Sequence, residues 1–125
     1  MTKVFAEHAP KAIGPYSHAF ISGKLIFCSG QTPLSPTTMM IEGATVTEQT
    51  TLVLQNLETV LKAAGANRNH VLKTSVFLKN FADFEKMNNA YEQFFGEHKP
   101  ARTTVEVSRL PKDALIEIEC VAELA

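Results

Sequence analysis

The chain has 125 residues, enough for one domain with a modest core, and its 45% hydrophobic and 20% charged residues are the balance of an ordinary soluble domain. A formal net charge of −1 supplies no basic patch of the kind that nucleic acid or an anionic membrane requires. No apolar run nears the ~20 residues that span a bilayer. The opening "MTKVFAEHAPKAIG" has neither the apolar stretch of a signal peptide nor the Arg/Ser-rich character of a transit peptide. A cytoplasmic location is expected, with the mitochondrial matrix left open.

A short leading strand is expected near Lys3–Ala6. "HAFISGKLIFCSG" (His18–Gly30) has two apolar runs around "SGK" and reads as a β-hairpin. "TPLSPTTMMIEG" is a loop shaped by Pro33, Pro36 and Gly43. From Val46 to Gly65, apolar residues at 46, 53, 57, 60, 61 and 64 have helical spacing, with Thr45 or Thr47 as cap and Gly65 at the stop. "HVLKTSVFLKN" is a strand. Asp83–His98 is a second helix whose apolar face is Phe84, Met87, Ala90, Tyr91, Phe94 and Phe95. Strict alternation then marks two more strands on either side of the turn "RLPKD".

The order β-β-α-β-α-β-β predicts an α+β single domain, residues 1–125, with one mixed sheet and both helices on one face. Several strands are nevertheless apolar on both sides. "KLIFCS" sets Ile26 and Cys28 against Leu25 and Phe27. The uncovered face needs a second chain, so a homo-oligomer packed through it is expected. Arg102, Thr104 and Glu117 are expected on that open face, against or near the interface. Cys28 and Cys120 lie in apolar strand patterns and read as small, buried, reduced residues, with a disulfide or reactive thiol as the alternative.

No phosphate loop, dinucleotide fingerprint or HExxH is present, and the four histidines (His8, His18, His70, His98) have no ligand spacing. No metal or cofactor is expected. Arg102 heads a strand behind "KPA". Its guanidinium offers a fork that matches a carboxylate, and Glu117 in the following strand can hold or deprotonate a water. That pair suits a small carboxylate-bearing substrate attacked by water. Spacing alone equally fits a cross-strand ion pair on a solvated face. By themselves Ser29-Gly30 are a strand end, Tyr16 is a packed turn residue, and Asn88 is a solvated helix residue.

"AIGPYSHA", "IFCSGQTP", "VLKTSVFLKNFADFEKMNNAYEQFF" and "PARTTVEVSRLPKDALIEIE" together resemble the reactive intermediate deaminase (YjgF/UK114) family, from about Ala9 to near the C-terminus. The resemblance implies a chorismate-mutase-like fold and a homotrimer with clefts between subunits. It implies hydrolysis of 2-aminoacrylate, 2-aminocrotonate and related enamines, through their imines, to 2-oxo acids and ammonia, without cofactor or metal. Carried over residue by residue, Arg102 grips the carboxylate and Glu117 activates water. Tyr16, Ser29 and Gly30 line the cleft, with Phe84, Asn88 and Thr104 at its wall. Many members have cysteine where this chain has Thr104, so any role resting on that thiol does not transfer. The connection "FFGEHKPAR" is also shorter than in some members. The other readings of the cleft are a non-catalytic sensor of a 2-oxo or amino acid, and an RNA-directed translation inhibitor. Near-neutral charge and the lack of an aromatic-plus-basic strand motif count against the second.

Overall fold

The computed structural model describes residues 1–125. Alternating residues build strands β1 (Thr2–Val4), β2 (Ala19–Ser22), β3 (Leu25–Gln31), β4 (Val71–Leu78), β5 (Ala101–Glu106) and β6 (Ile116–Glu123), and the helical spacings build α1 (Val46–Ala63) and α2 (Phe84–Phe95). The six strands form one sheet in the order β1-β2-β3-β6-β4-β5. All neighbours are antiparallel except β4 and β5, which are parallel. This is the expected mixed α+β domain.

One face of the sheet is dry. Ile116, Ile118, Cys120 and Ala122 of β6 and Val76 and Leu78 of β4 pack with Val53, Leu54, Leu57, Val60 and Leu61 of α1 and with Met87, Tyr91 and Phe95 of α2. Thr45 caps α1 by accepting from the Glu48 N–H, and Gly65 takes φ +92° just beyond its end, a conformation that costs an L side chain strain. Asp83 stands at the N-cap position of α2, which runs only to Phe95, and its side chain makes no capping hydrogen bond. Asn80 instead caps a short 3₁₀ turn over Phe81–Asp83 that leads into α2.

The other face has no helix over it. Leu25, Phe27 and Val105 are 38%, 47% and 41% exposed, and Phe20, Phe77 and Val121 are half-buried beside them. The two-sided apolar character of the strands thus leaves a bare apolar face, as the sequence predicts.

Two expectations about the last strands are overturned. β5 and β6 are not neighbours, because β4 lies between them, and residues 107–115 cross over its end rather than closing a hairpin. The faces of β5 are also reversed. Arg102 is the register partner of buried Thr74, and Thr104 of buried Val76, so both point to the helix side, while Thr103 and Val105 lie on the open face with Glu117. Cys28 and Cys120 are register partners and both are free and buried. The neighbouring Cys28 thiol and burial hold the Cys120 thiol far above its ordinary range.

Candidate active site

Three of the predicted site residues, Tyr16, Ser29 and Gly30, converge around Glu117. Glu117 projects from the open face of β6 into a cavity of about 430 Å³, which Tyr16, Ser29, Gly30, Lys11, Gln31 and Glu119 also line. The β3–β6 ladder slips between Cys28 and Gln31, so Ser29 and Gly30 form a bulge beside the glutamate. The bulge is tied down: the Ser29 N–H donates to His18 O at 2.9 Å, and Ser29 Oγ donates to Ser17 O at 2.7 Å. Gly30 has a steric reason to be glycine. A Cβ there would run into the Glu117 carboxylate, with the carboxyl carbon only 3.0 Å away. The Tyr16 hydroxyl accepts from the Ile13 N–H at 3.2 Å, which folds the "GPYS" turn over the cavity.

Glu117 is in no ion pair. Burial, and then the neighbouring Glu119 charge, push its carboxyl above the usual glutamate range. Such a group is a stronger base once ionised and a better proton donor near neutral pH. Leu115, two residues before it, is held by its N–H donating at 2.8 Å to the buried Gln49 side chain of α1. The start of β6 is therefore referenced to the helix layer.

The other predicted residues gather around Arg102, on the far side of the sheet. Arg102 and Asn88 line a second cavity of about 380 Å³ with Tyr91, Glu92, Phe95, His98 and Lys99. The guanidinium carbon lies 4.9 Å from the centre of the Tyr91 ring and 5.7 Å from that of Phe84, and one terminal nitrogen is 3.9 Å from Met87 Sδ. No carboxylate is paired with it. Asn88 Oδ1 and Thr104 Oγ1 are buried and make no hydrogen bond within the chain, an arrangement native proteins rarely leave without a reason. The region thus combines a guanidinium with open donors and two polar atoms with open valences.

These two groups do not form one site in one chain. Arg102 and Glu117 lie two strands and three register positions apart, about 10 Å across the sheet and about 10 Å along it, and on opposite faces. The cross-strand ion pair expected from spacing is absent, and so is a shared polar face. Lys11, Gln31, Glu119 and Tyr91 are cavity residues that the sequence reading passed over. Glu119 carried a signal, since i and i+2 on a strand share a face.

The family model described as Endoribonuclease L-PSP matches residues 6–124. The RutC family protein PH0854 of Pyrococcus horikoshii is 52% identical over 119 residues, covering 95% of this chain and 94% of that protein. The chloroplastic Reactive Intermediate Deaminase A of Arabidopsis thaliana is 44% identical over 121 residues, covering 97% of this chain and 65% of the plant protein. Among solved structures, E. coli TdcF with bound serine superposes with a TM-score of 0.94 at 38% identity, covering 100% of each chain. The "PAR…LP…IE" block, the sheet order and these matches agree, and the chain belongs to the YjgF/RidA family of Endoribonuclease L-PSP-type proteins.

Proposed function

We propose that this chain is a 2-iminobutanoate/2-iminopropanoate deaminase, which hydrolyses the enamine and imine intermediates released by pyridoxal-phosphate enzymes to 2-oxo acids and ammonia. The observation that carries the reading is the pair of complementary half-sites: a guanidinium in no ion pair, and an elevated carboxyl in no ion pair. Membership of a family with a relative named as a reactive intermediate deaminase supports the chemistry. A structural relative that holds serine, a small amino acid, supports the ligand size and its carboxylate.

Neither half is sufficient alone, and the bare apolar sheet face offers a way to join them. In this reading the chain is a homotrimer packed through that face, with each cleft combining Arg102 of one copy and Glu117 of the next. Burying Phe27, Leu25 and Val105 in such an interface removes the exposed apolar surface that a monomer carries at a cost.

In the cleft, Arg102 binds the substrate carboxylate through two parallel charge-assisted bonds and sets C2 of the protonated imine near a water held by Glu117. The water oxygen adds to C2 and the C=N π electrons move to nitrogen. Glu117 accepts the water's proton and delivers it to that nitrogen. The C–N bond then breaks and ammonia leaves with the bonding electrons, while Glu117, ionised again, takes the hydroxyl proton as the C=O of the 2-oxo acid forms and passes it to the departing ammonia. The reaction consumes only substrate and water. With the substrate carboxylate occupying Arg102, the glutamate is not locked to the guanidinium and keeps its basicity.

The test generates 2-aminoacrylate in situ with a pyridoxal-phosphate dehydratase and follows pyruvate release. Acceleration by the wild type, lost in both Arg102→Ala and Glu117→Ala with oligomer size unchanged, is the expected result. No acceleration with this substrate or with the imine derived from threonine would refute the enzyme and leave a binding module for 2-oxo acids. The endoribonuclease in the family model's description would need RNA phosphates to find counter-charge on a chain whose formal net charge is −1.

A further inference from the structure

A guanidinium without a carboxylate partner needs something else to hold it still. Aromatic ring faces occupy that role around Arg102, with one terminal N–H also reaching the Met87 sulfur at 3.9 Å. Tyr91 is buried, and its ring packs on the Phe95 ring at 4.7 Å between centres while its other surroundings include the Arg102 guanidinium at 4.9 Å. Its hydroxyl shares a 2.7 Å hydrogen bond with Thr74 Oγ1, and Thr74 is fully buried. Thr74 is also the register partner of Arg102 on the adjacent strand. The three residues therefore close a loop: backbone register joins Arg102 to Thr74, a hydrogen bond joins Thr74 to Tyr91, and the ring reaches back to the guanidinium.

We infer that Tyr91, pinned by Thr74, is the positioning residue for Arg102: its ring carries the guanidinium and leaves the in-plane N–H fork open for a ligand carboxylate. The inference rests on the carboxylate-clamp reading above and adds to it the device that keeps the clamp both rigid and empty. An acidic partner would hold the arginine as firmly, but it would fill the fork that the ligand needs. An aromatic face attracts the cation through its quadrupole and takes up none of the in-plane donors. Arg102 and Tyr91 line the same cavity, so the ring is also placed to keep the arginine at the cavity wall. Burial keeps the Tyr91 hydroxyl above its ordinary range, and so protonated and able to share the bond with Thr74. Tyr91 does not act on the reacting atoms in this account.

The experiment uses the assembled protein, checked for oligomer size, and titrates it with 2-oxobutanoate by calorimetry. Tyr91→Leu, which removes ring and hydroxyl, is expected to weaken binding tenfold or more. Tyr91→Phe and Thr74→Val, which cut the pin and keep the ring, are expected to weaken it two- to fivefold. The double variant Tyr91→Phe/Thr74→Val leaves no orphaned hydroxyl and is expected to be no worse than either single change. KM should rise in each variant while the pH dependence of kcat stays unmoved. The Arg102 Nε–H resonance, recognised by its absence in Arg102→Ala, should lose its ring-current shift in Tyr91→Leu. Wild-type affinity in Tyr91→Leu, or fully additive losses in the double variant, would overturn the inference. Wild-type affinity in Arg102→Ala would instead overturn the clamp itself. Normal binding in the Tyr91 and Thr74 variants beside a lost Arg102→Ala would overturn the positioning role alone.

Discussion

Two arginines in this molecule sit against α2, and they are held in opposite ways. Arg68 makes a forked pair with Glu58 of α1, at 2.9 Å from Nε and 2.5 Å from one terminal nitrogen, and its other terminal nitrogen donates to Phe94 O at 2.7 Å. Its guanidinium lies 3.9 Å from the centre of the Phe94 ring. Each of its three nitrogens has a partner, and the result is a brace between α1, the connection into β4, and α2. Arg102 has the aromatic faces without the carboxylate or the carbonyl. An arginine paired with a carboxylate and a carbonyl is structure. An arginine of similar surroundings left with open donors is available for a ligand. The same contrast separates the two carboxylates: the hydrogen bond from Arg68 holds Glu58 below its usual range, and burial with nothing to offset it lifts Glu117 above its own.

The largest expected break in this comparison is Arg102→Ala. It should lower kcat/KM for 2-aminoacrylate by about 100-fold or more, with the melting temperature lowered only modestly, because the fork and the aromatic contacts are lost but no ion pair is broken. Glu117→Gln should lower kcat by about 10²–10⁴. Its effect on stability has a definite sign. A carboxyl whose folded pKa is raised destabilises the ionised protein, and wild-type stability falls as pH rises from the ordinary glutamate value through the raised one. Glu117→Gln should therefore melt higher than the wild type at pH 7, and the gap should close at acid pH.

Gly30→Ala should cost roughly 10- to 100-fold in kcat through displacement of the Glu117 carboxylate, with ligand carboxylate binding less affected. Arg68→Ala should show the inverse phenotype of Arg102→Ala: about 2 kcal/mol of unfolding free energy lost in chemical denaturation, with activity per folded molecule kept. Smallest is the acid behaviour of the brace. Glu58 has a depressed folded pKa, so its contribution is present above the ordinary glutamate value and lost as pH falls through the depressed one. Glu58→Gln should flatten that acid limb.

Local rules carried most of the fold. The hairpin at "SGK", the Thr45 cap, the stop at Gly65 and the bare apolar face all follow from neighbours in the chain. What local reading missed is non-local. Whether β4 slots between β5 and β6 depends on pairing over tens of residues, which alternation within each strand does not encode. The face of β5 was ambiguous for the same reason. An edge strand reading Arg-Thr-Thr-Val-Glu has no wholly apolar side, and only its register with buried Thr74 and Val76 decides which way Arg102 points. Tyr91 was hidden because a helical stripe of Phe, Met and Tyr reads as core, and its hydroxyl acquires meaning only once Thr74 is opposite. The half-sites themselves were legible as residues and illegible as a geometry.

In the proposed trimer one cleft takes Arg102 from one copy and Glu117 from another. The direct measurement mixes Arg102→Ala and Glu117→Ala proteins, each inactive, under conditions in which subunits are shown to exchange, and then assays pyruvate release from 2-aminoacrylate. Random assembly at equal amounts leaves about a quarter of the clefts with both residues intact, so recovery of about a quarter of wild-type activity is predicted. Mixed oligomers with no activity above either parent would contradict the account and require Arg102 and Glu117 to act from the same chain.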